Sequence, residues 1–113
     1  MKQVDKISVK ELTGMAEKMF YKLVKAVVDV ERRVVVVDAE MHYDEEQFLL
    51  QQGSKNGNLW GVNLYPAEFG TDKFIEFDSM INVRPGHGND SRGVDDPALR
   101  QTIIKIVSEV VHE

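Results

Sequence analysis

The chain has 113 residues, of which 42% are hydrophobic and 29% are charged, and its formal net charge is −5. This length suits a single domain over residues 1–113, and the composition is that of a globular protein rather than a disordered, fibrous or membrane one. Because the chain contains no cysteine, disulfides, thiolate metal sites and a cysteine nucleophile are excluded.

The first predicted element is a helix at 9–20. Ser8 and Glu11 have the spacing of a capping box, in which two side chains satisfy free backbone amides at a helix start. The apolar residues that follow recur at steps of three and four, which is typical of a helix with one buried face. They are Val9, Leu12, Met15, Ala16, Met19 and Phe20.

Two strands are predicted next, at 23–31 and 33–39. Apolar side chains fall on even positions in the first strand and on odd positions in the second. If the strands form a hairpin, both buried faces coincide only when the numbers of paired residues add to an odd constant. The loop around Glu31-Arg32 then holds two or four residues, and four are preferred because this dipeptide lacks the Asn or Gly of two-residue turns.

This register predicts which residues lie opposite each other. The predicted pairs are Val28 with Val35, Ala26 with Val37, and Lys25 with Asp38. A three-residue loop would instead turn one of the two apolar faces outward.

A second helix and a third strand follow. Asp44 is placed to cap a short helix, and Gly53 is placed to end it. Residues 59–65 predict a third strand, which Pro66 ends.

The last third of the chain contains a strand, a long loop and a helix. Residues 74–84 alternate as a fourth strand, or as two short strands that break near Asp78-Ser79. The stretch 85–95 is rich in glycine and nearly free of apolar residues, which predicts a long surface loop. Asp96 and Pro97 then open a final helix. Its apolar stripe comprises Leu99, Ile103, Ile106, Val107 and Val110.

The predicted fold is therefore α+β, with the element order α-β-β-α-β-β-α. Elements of this kind suit a two-layer sandwich, in which about four strands carry helices on one face. The local patterns do not determine the order of the strands in the sheet.

The strand alternation also predicts a polar, mostly acidic face on the side of the sheet away from the helices. Asp38, Glu40 and His42 are two residues apart and would point the same way on an extended chain. Such a trio could hold a divalent metal ion that activates a water, and Asp78 could join it. The alternative is an ordinary solvated sheet face, on which residues of these types are common.

The glycine-rich loop is the second candidate site. Its glycines would let backbone amides approach a ligand, and its basic side chains could hold a small anion or a protein partner. The residues of this predicted site are Arg84, His87, Asn89, Ser91 and Arg92. The alternative is a structural loop in which Arg92 pairs with Asp95 or Asp96.

Four segments of the chain together carry a resemblance to a known family. They are LWGVNLYP at 59–66, EFDSMINVRP at 76–85, SRGVDDP at 91–97 and VDAE at 37–40. Together they resemble a family of short prokaryotic proteins catalogued only as a domain of unknown function. The resemblance spans nearly the whole chain and implies a stand-alone prokaryotic protein without an established activity, and it supplies no catalytic or binding residues.

The leading functional hypothesis is a non-catalytic binding or protein-interaction module, and self-association as a homodimer is a natural variant. The alternative is a small divalent-metal-assisted hydrolase that uses Asp38, Glu40 and His42, so whether the chain is an enzyme stays open. No cofactor is expected beyond such a metal. The basic residues are interleaved with acidic ones, so we expect no nucleic-acid partner. The chain lacks a long apolar segment, so we expect no membrane contact and a cytoplasmic location.

Overall fold

A computed structural model describes residues 1–113, which form three α-helices and seven β-strands. The helices are α1 (Val9–Lys18), α2 (His42–Gln51) and α3 (Pro97–Val110). The strands are β1 (Lys2–Val4), β2 (Ile7–Ser8), β3 (Val24–Asp29), β4 (Val34–Val37), β5 (Leu59–Leu64), β6 (Ile75–Glu76) and β7 (Val111–His112). None of the helices has both the length and the apolar character that a membrane crossing requires.

Five of the strands form an antiparallel sheet in the order β1-β4-β3-β5-β6, while β2 pairs in parallel with β7. The predicted α+β class is confirmed. The strands β1, β2 and β7 are missing from the predicted order, because segments of two or three residues are too short to show an alternation. The order α-β-β-α-β-β-α therefore holds only from α1 to α3.

The hairpin of β3 and β4 has the predicted register. Val28 lies opposite Val35, and Ala26 lies opposite Val37. The four residues 30–33 join the last pair of the ladder, so the longer of the two loops considered from the sequence is present.

Asp29 stabilises this loop in place of the usual Asn or Gly. Its Oδ1 accepts hydrogen bonds from the backbone N–H groups of Glu31 and Arg32, both at 2.9 Å. Its Oδ2 accepts a hydrogen bond from the Ser54 hydroxyl at 2.6 Å. Arg33 takes a positive φ of 58° and donates its N–H to the Asp29 carbonyl. The buried carboxylate thus provides turn contacts that the sequence of the loop does not show.

The predicted pairing of Lys25 with Asp38 is not formed. The strand β4 ends at Val37, and Asp38 adopts a left-handed φ of 71°, so the alternation stops there. The Asp38 carboxylate lies 3.9 Å from the amino group of Met1 instead.

Helices cover both faces of the sheet, so the prediction of helices on one face is wrong. On one face, Leu12 of α1 and Ile103 of α3 belong to the main core together with Val28. On the other face, Leu49 of α2 packs in a smaller cluster with Val27. Adjacent strand residues point to opposite faces, and because Val27 and Val28 are both fully buried, each face needs its own layer.

The starts of α1 and α3 are as predicted. The Ser8 Oγ accepts a hydrogen bond from the Glu11 N–H at 3.0 Å, and the Asp96 Oδ1 accepts one from the Ala98 N–H at 2.9 Å. The helix α1 ends at Lys18, two residues before the predicted end.

The start of α2 differs from the prediction. The helix begins at His42, not after Asp44, and its N-cap residue Met41 makes no side-chain hydrogen bond to the first turn. Gly53 follows the helix with a φ of 97°, in agreement with its predicted role as the stop signal. The early start places His42 on the helix instead of on an extended segment.

The predicted fourth strand is short. Only Ile75 and Glu76 pair with β5, and the chain then turns at Ser79 into a single 3₁₀ turn, Met80–Asn82. The sequence alternative of a break near Asp78-Ser79 is closer to the structure than one continuous strand.

Side chains complete the edge of β5 where β6 stops. The Asn82 Oδ1 accepts a hydrogen bond from the Gly61 N–H, and its Nδ2 donates to the carbonyls of Gly61 and Arg92, all at 2.9 Å. The Arg84 guanidinium donates to the Leu59 carbonyl at 2.6 Å. These contacts pair backbone groups that a longer strand would otherwise have paired.

Candidate functional site

A polar pocket of about 320 Å³ lies where α2 begins, and we call it the α2 pocket. It is lined by residues of α2, β3, β5, the 3₁₀ turn Met80–Asn82 and the segments on either side of that turn. Its polar lining includes Lys25, His42, Asn63, Asp78 and Arg92. Its apolar rim includes Met41, Tyr43 and Met80, whose exposed fractions are 54%, 54% and 64%.

His42 is held in one tautomer. Its Nε2 lies 2.8 Å from the Val62 carbonyl oxygen, and because a carbonyl can only accept, Nε2 carries the proton. The other ring nitrogen, Nδ1, has no hydrogen bond within the protein and therefore keeps a free lone pair. Burial lowers the pKa of His42, an effect that the bond to Val62 opposes, so the ring is neutral at pH 7.

Asn63 contributes a second unused acceptor. Its side chain is 6% exposed, and its Nδ2 donates to Glu76 Oε1 at 2.9 Å. Its Oδ1 is buried without any hydrogen-bond partner. An unpaired buried acceptor is unfavourable by roughly 1–3 kcal/mol, so a hydrogen-bond donor at this position would be stabilising.

The two cations of the pocket differ in their partners. The Arg92 Nε donates to Asp78 Oδ1 at 2.5 Å, and both side chains are about half exposed. Lys25 forms no salt bridge; its ammonium lies over the ring of Phe20, 4.8 Å from the centroid. The charge of Lys25 is therefore available to an anionic ligand.

Ser79 and Gly61 form the tightest contact of this region. A Cβ on Gly61 would lie 2.6 Å from both the Cβ and the Oγ of Ser79 and 3.2 Å from the Cδ2 of His42. The strand β5 therefore requires glycine at this position, because the turn and the imidazole approach its backbone too closely for a side chain.

We predict that Gly61→Ala lowers the free energy of unfolding by about 1–3 kcal/mol, because the added methyl group forces Ser79 or β5 to move. Urea denaturation followed by circular dichroism measures this loss. The double variant Gly61→Ala with Ser79→Gly should regain part of it, since the closer of the two opposing side chains is gone while that of His42 remains. A single variant as stable as the native chain would show that the contact is looser than described.

Glu45 lies one turn beyond His42 on α2 and is completely buried. Neither of its carboxyl oxygens has a hydrogen-bond partner. Burial raises the pKa of Glu45 to about 10, and attraction to the backbone of Ala39 and to Lys25 offsets this only in part. The carboxyl group is therefore protonated in the folded chain at pH 7.

The structure does not bring the predicted metal trio together. Asp38 faces the chain's amino terminus, Glu40 is exposed, and His42 lines the α2 pocket. No three His, Asp or Glu side chains are placed so that they could hold a metal ion. The premise of an extended chain fails, because β4 ends before Asp38 and α2 begins at His42.

Two residues of the predicted anion-binding loop are buried and bonded within the protein. Arg84 forms a salt bridge with Glu46 at 3.2 Å and lies over the ring of Trp60. The Asn89 Nδ2 donates to three backbone carbonyls, and its Oδ1 accepts from the Asp95 N–H. These side chains hold the loop against the sheet.

The other three residues of that loop are more exposed. The Ser91 Oγ donates to Asp95 Oδ1 at 2.5 Å, while His87 lies against Gly57. Arg92 alone reaches the α2 pocket, and its partner is Asp78 rather than Asp95 or Asp96. An anion site formed by the loop itself stays a prediction.

The sequence prediction missed Lys25 and Asn63. They lie directly opposite each other on β3 and β5, and Asn63 in turn lies opposite Glu76 of β6. The signal was a polar residue between two apolar ones in each strand, Lys25 in β3 and Asn63 in β5. Combining the two positions requires the strand order, which local patterns do not provide.

The comparisons with known proteins agree with the resemblance seen in the sequence. A family model described as "Protein of unknown function (DUF5674)" matches residues 3–110. Neither the curated proteins nor the solved structures gave a match. The match covers nearly the full length of the chain, which therefore belongs to this DUF5674 family.

Proposed function

We propose that this chain is a non-catalytic binding module that takes a small organic ligand in the α2 pocket. The observation that carries the proposal is the convergence of five polar side chains from separate segments on one pocket with an apolar rim. Seven large hydrophobic side chains of the chain are exposed, and three of them form this rim. Concave sites with a few convergent polar groups are typical of ligand binding.

The unused hydrogen-bonding capacity distinguishes this pocket from the other cavities. A larger groove of about 690 Å³ lies between α1 and residues 65–68, and an apolar pocket of about 290 Å³ lies against α3. Neither is lined by a buried polar atom without a partner, whereas Asn63 lines the α2 pocket. A polar ligand would therefore gain more in the α2 pocket than in either of these two cavities.

The pocket size supports a small molecule as the ligand. Ligand pockets typically measure roughly 300–1,000 Å³, so the α2 pocket is near the lower limit. The hydrolase alternative has less support, because Asp38 and Glu40 lie outside the pocket that contains His42. The proposal includes the cytoplasmic location and prokaryotic origin expected from the sequence. Homodimer formation through the exposed rim is the alternative use of this surface.

The test is a nuclear magnetic resonance titration of the full-length ¹⁵N-labelled chain with a panel of amino acids, hydroxy acids, amines and simple sugars. We expect at least one compound to shift the amide signals of His42, Tyr43, Asn63 and Arg92 together. Met80→Glu should weaken that binding, because it places a charge on the rim. Met19→Glu is the matched control, since Met19 is exposed but does not line the pocket.

Two results would overturn the binding module. One is a panel in which no compound shifts the pocket signals. The other is binding that Met80→Glu and Met19→Glu weaken equally, which would place the ligand elsewhere on the chain.

A further inference from the structure

We propose that the ligand of the α2 pocket is a free α-amino acid with an apolar side chain, an inference that rests on the proposed function. The pocket offers three kinds of partner in a small volume: hydrogen-bond acceptors without donors, cationic groups and exposed apolar side chains. An α-amino acid carries an ammonium group, a carboxylate and a side chain on one carbon atom. It therefore matches all three kinds at once.

The acceptors define where the ammonium group binds. Asn63 Oδ1 and His42 Nδ1 have no donor in the protein, and each can accept a hydrogen bond. The Asp78 carboxylate lines the same pocket and adds a negative charge. A group with three N–H donors and a positive charge complements these atoms better than a hydroxyl group does.

The cations and the start of α2 define where the carboxylate binds. Lys25 has no salt-bridge partner, and Arg92 shares its charge with Asp78 alone. The backbone N–H groups of His42 and Tyr43 have no acceptor in the protein, because the N-cap residue has no capping side chain. Free amides at a helix start favour a negative group, which Lys25 and Arg92 favour further.

One nearby charge opposes a carboxylate in the pocket. Asp44 lies in the first turn of α2, but its side chain is exposed and does not line the pocket. Its repulsion is therefore screened by water, while Lys25 and Arg92 are part of the lining. The balance of charge in the lining, two cations and one carboxylate, favours an anionic group beside the ammonium site.

The apolar rim of the α2 pocket indicates the kind of side chain that the amino-acid ligand carries. Met41, Tyr43 and Met80 are more exposed than apolar residues of their size usually are, and they line the same pocket as the polar groups. Methionine side chains are flexible and adapt to ligands of irregular shape. An aliphatic side chain would cover this rim, whereas a charged one would leave it in contact with water.

Isothermal titration calorimetry of the full chain with L-leucine tests the proposal. L-Leucinamide lacks the carboxylate and represents the first residue of a peptide, and N-acetyl-L-leucine lacks the ammonium group and represents the last. We expect both analogues to bind at least about tenfold more weakly than L-leucine, because each loses a charged hydrogen-bonding group. Equal or tighter binding of either analogue would overturn the free amino acid in favour of a peptide terminus.

The variant Lys25→Gln assigns the carboxylate position. This variant should bind L-leucine about tenfold more weakly than the native chain does. Its weak binding of L-leucinamide should be unchanged, since that analogue has no carboxylate for Lys25 to contact. Lys22→Gln, which changes an exposed lysine outside the pocket, is the matched control and should alter neither. Equal effects of Lys25→Gln on both compounds would overturn this assignment.

The two proposals fail in different ways. If L-leucine does not bind while another class from the panel shifts the pocket signals, the amino acid is overturned and the binding module stands. If no compound shifts those signals, both are overturned.

Discussion

Replacing Glu45 with methionine is expected to make the chain more stable at neutral pH and to remove a large part of its pH dependence. The native carboxyl is buried without hydrogen bonds, and burial raises its pKa from 4.5 to about 10. The folded chain keeps this proton, whereas the unfolded chain releases it above about pH 4.5. The free energy of unfolding is therefore highest, as far as Glu45 determines it, below about pH 4.5. It falls progressively as the pH rises towards 10.

The size of the effect follows from the interval between the two pKa values. From pH 4.5 to pH 7 the native chain should lose about 3 kcal/mol of unfolding free energy through Glu45, at about 1.4 kcal/mol per pH unit. Methionine has a similar volume and no charge, so Glu45→Met should not show this loss. Urea denaturation of both chains at several pH values measures the difference.

A comparison of variants is needed because His42 titrates in the opposite sense. Burial lowers the pKa of His42, so the folded chain binds its proton less readily than the unfolded chain does. The contribution of His42 to the free energy of unfolding is lost as the pH falls. Because both chains contain His42, this contribution cancels when one curve of unfolding free energy against pH is subtracted from the other. The control is Gln47→Met, a change on the same helix that removes no ionisable group, whose curve should run parallel to the native one. Parallel curves for Glu45→Met as well would contradict a protonated Glu45.

The parts of the fold that could be predicted from the sequence are those that local rules determine. The register of β3 and β4 follows from the parity of their apolar residues together with a turn centred on Glu31-Arg32, since Ala26 and Val37 share a buried face only when paired residue numbers add to an odd constant. The capping side chains Ser8 and Asp96 act within three residues of their own position. Such signals need no knowledge of distant contacts.

The sequence does contain a signal for the position of α2, in apolar residues that the parity of the buried faces leaves unexplained. The four valines 34–37 are apolar on both faces of β4, and Val27 is apolar on the second face of β3. Strands with two apolar faces are typical of a sheet that is covered on both sides. Assigning one buried face to each strand therefore led to the wrong expectation of an open, acidic surface.

The candidate site was only partly predictable for a related reason. His42 was singled out for a metal trio that the structure does not assemble, and Arg92 was singled out for an anion-binding loop rather than for this pocket. Their neighbours Lys25 and Asn63 join them through the pairing of β3 with β5. That pairing brings together residues almost forty positions apart, and no local pattern specifies it.

Truncation of Asn82 is expected to cause a large loss of stability. Its side chain is completely buried and pairs with three backbone groups, the N–H and carbonyl of Gly61 and the carbonyl of Arg92. Asn82→Ala leaves the N–H and the carbonyl of Gly61 without a partner, while the Arg92 carbonyl keeps its hydrogen bond from the Ser79 N–H. Each unpaired buried group is unfavourable by roughly 1–3 kcal/mol. We therefore expect the free energy of unfolding to fall by about 3 kcal/mol, measured by urea denaturation.

A local measurement separates this explanation from a general loss of packing. If the Asn82 side chain stands in for a missing strand, the Gly61 amide should exchange its hydrogen much faster in Asn82→Ala. The amides in the centre of β3 pair with β4 and β5 instead, so their hydrogen-exchange rates should change only as far as the global stability changes. Asn56→Ala is the matched control, since its exposed amide makes one long hydrogen bond to Glu46 and should change stability by less than about 0.5 kcal/mol. An unchanged exchange rate at Gly61, together with a stability loss no greater than that of Asn56→Ala, would show that Asn82 does not complete the sheet edge.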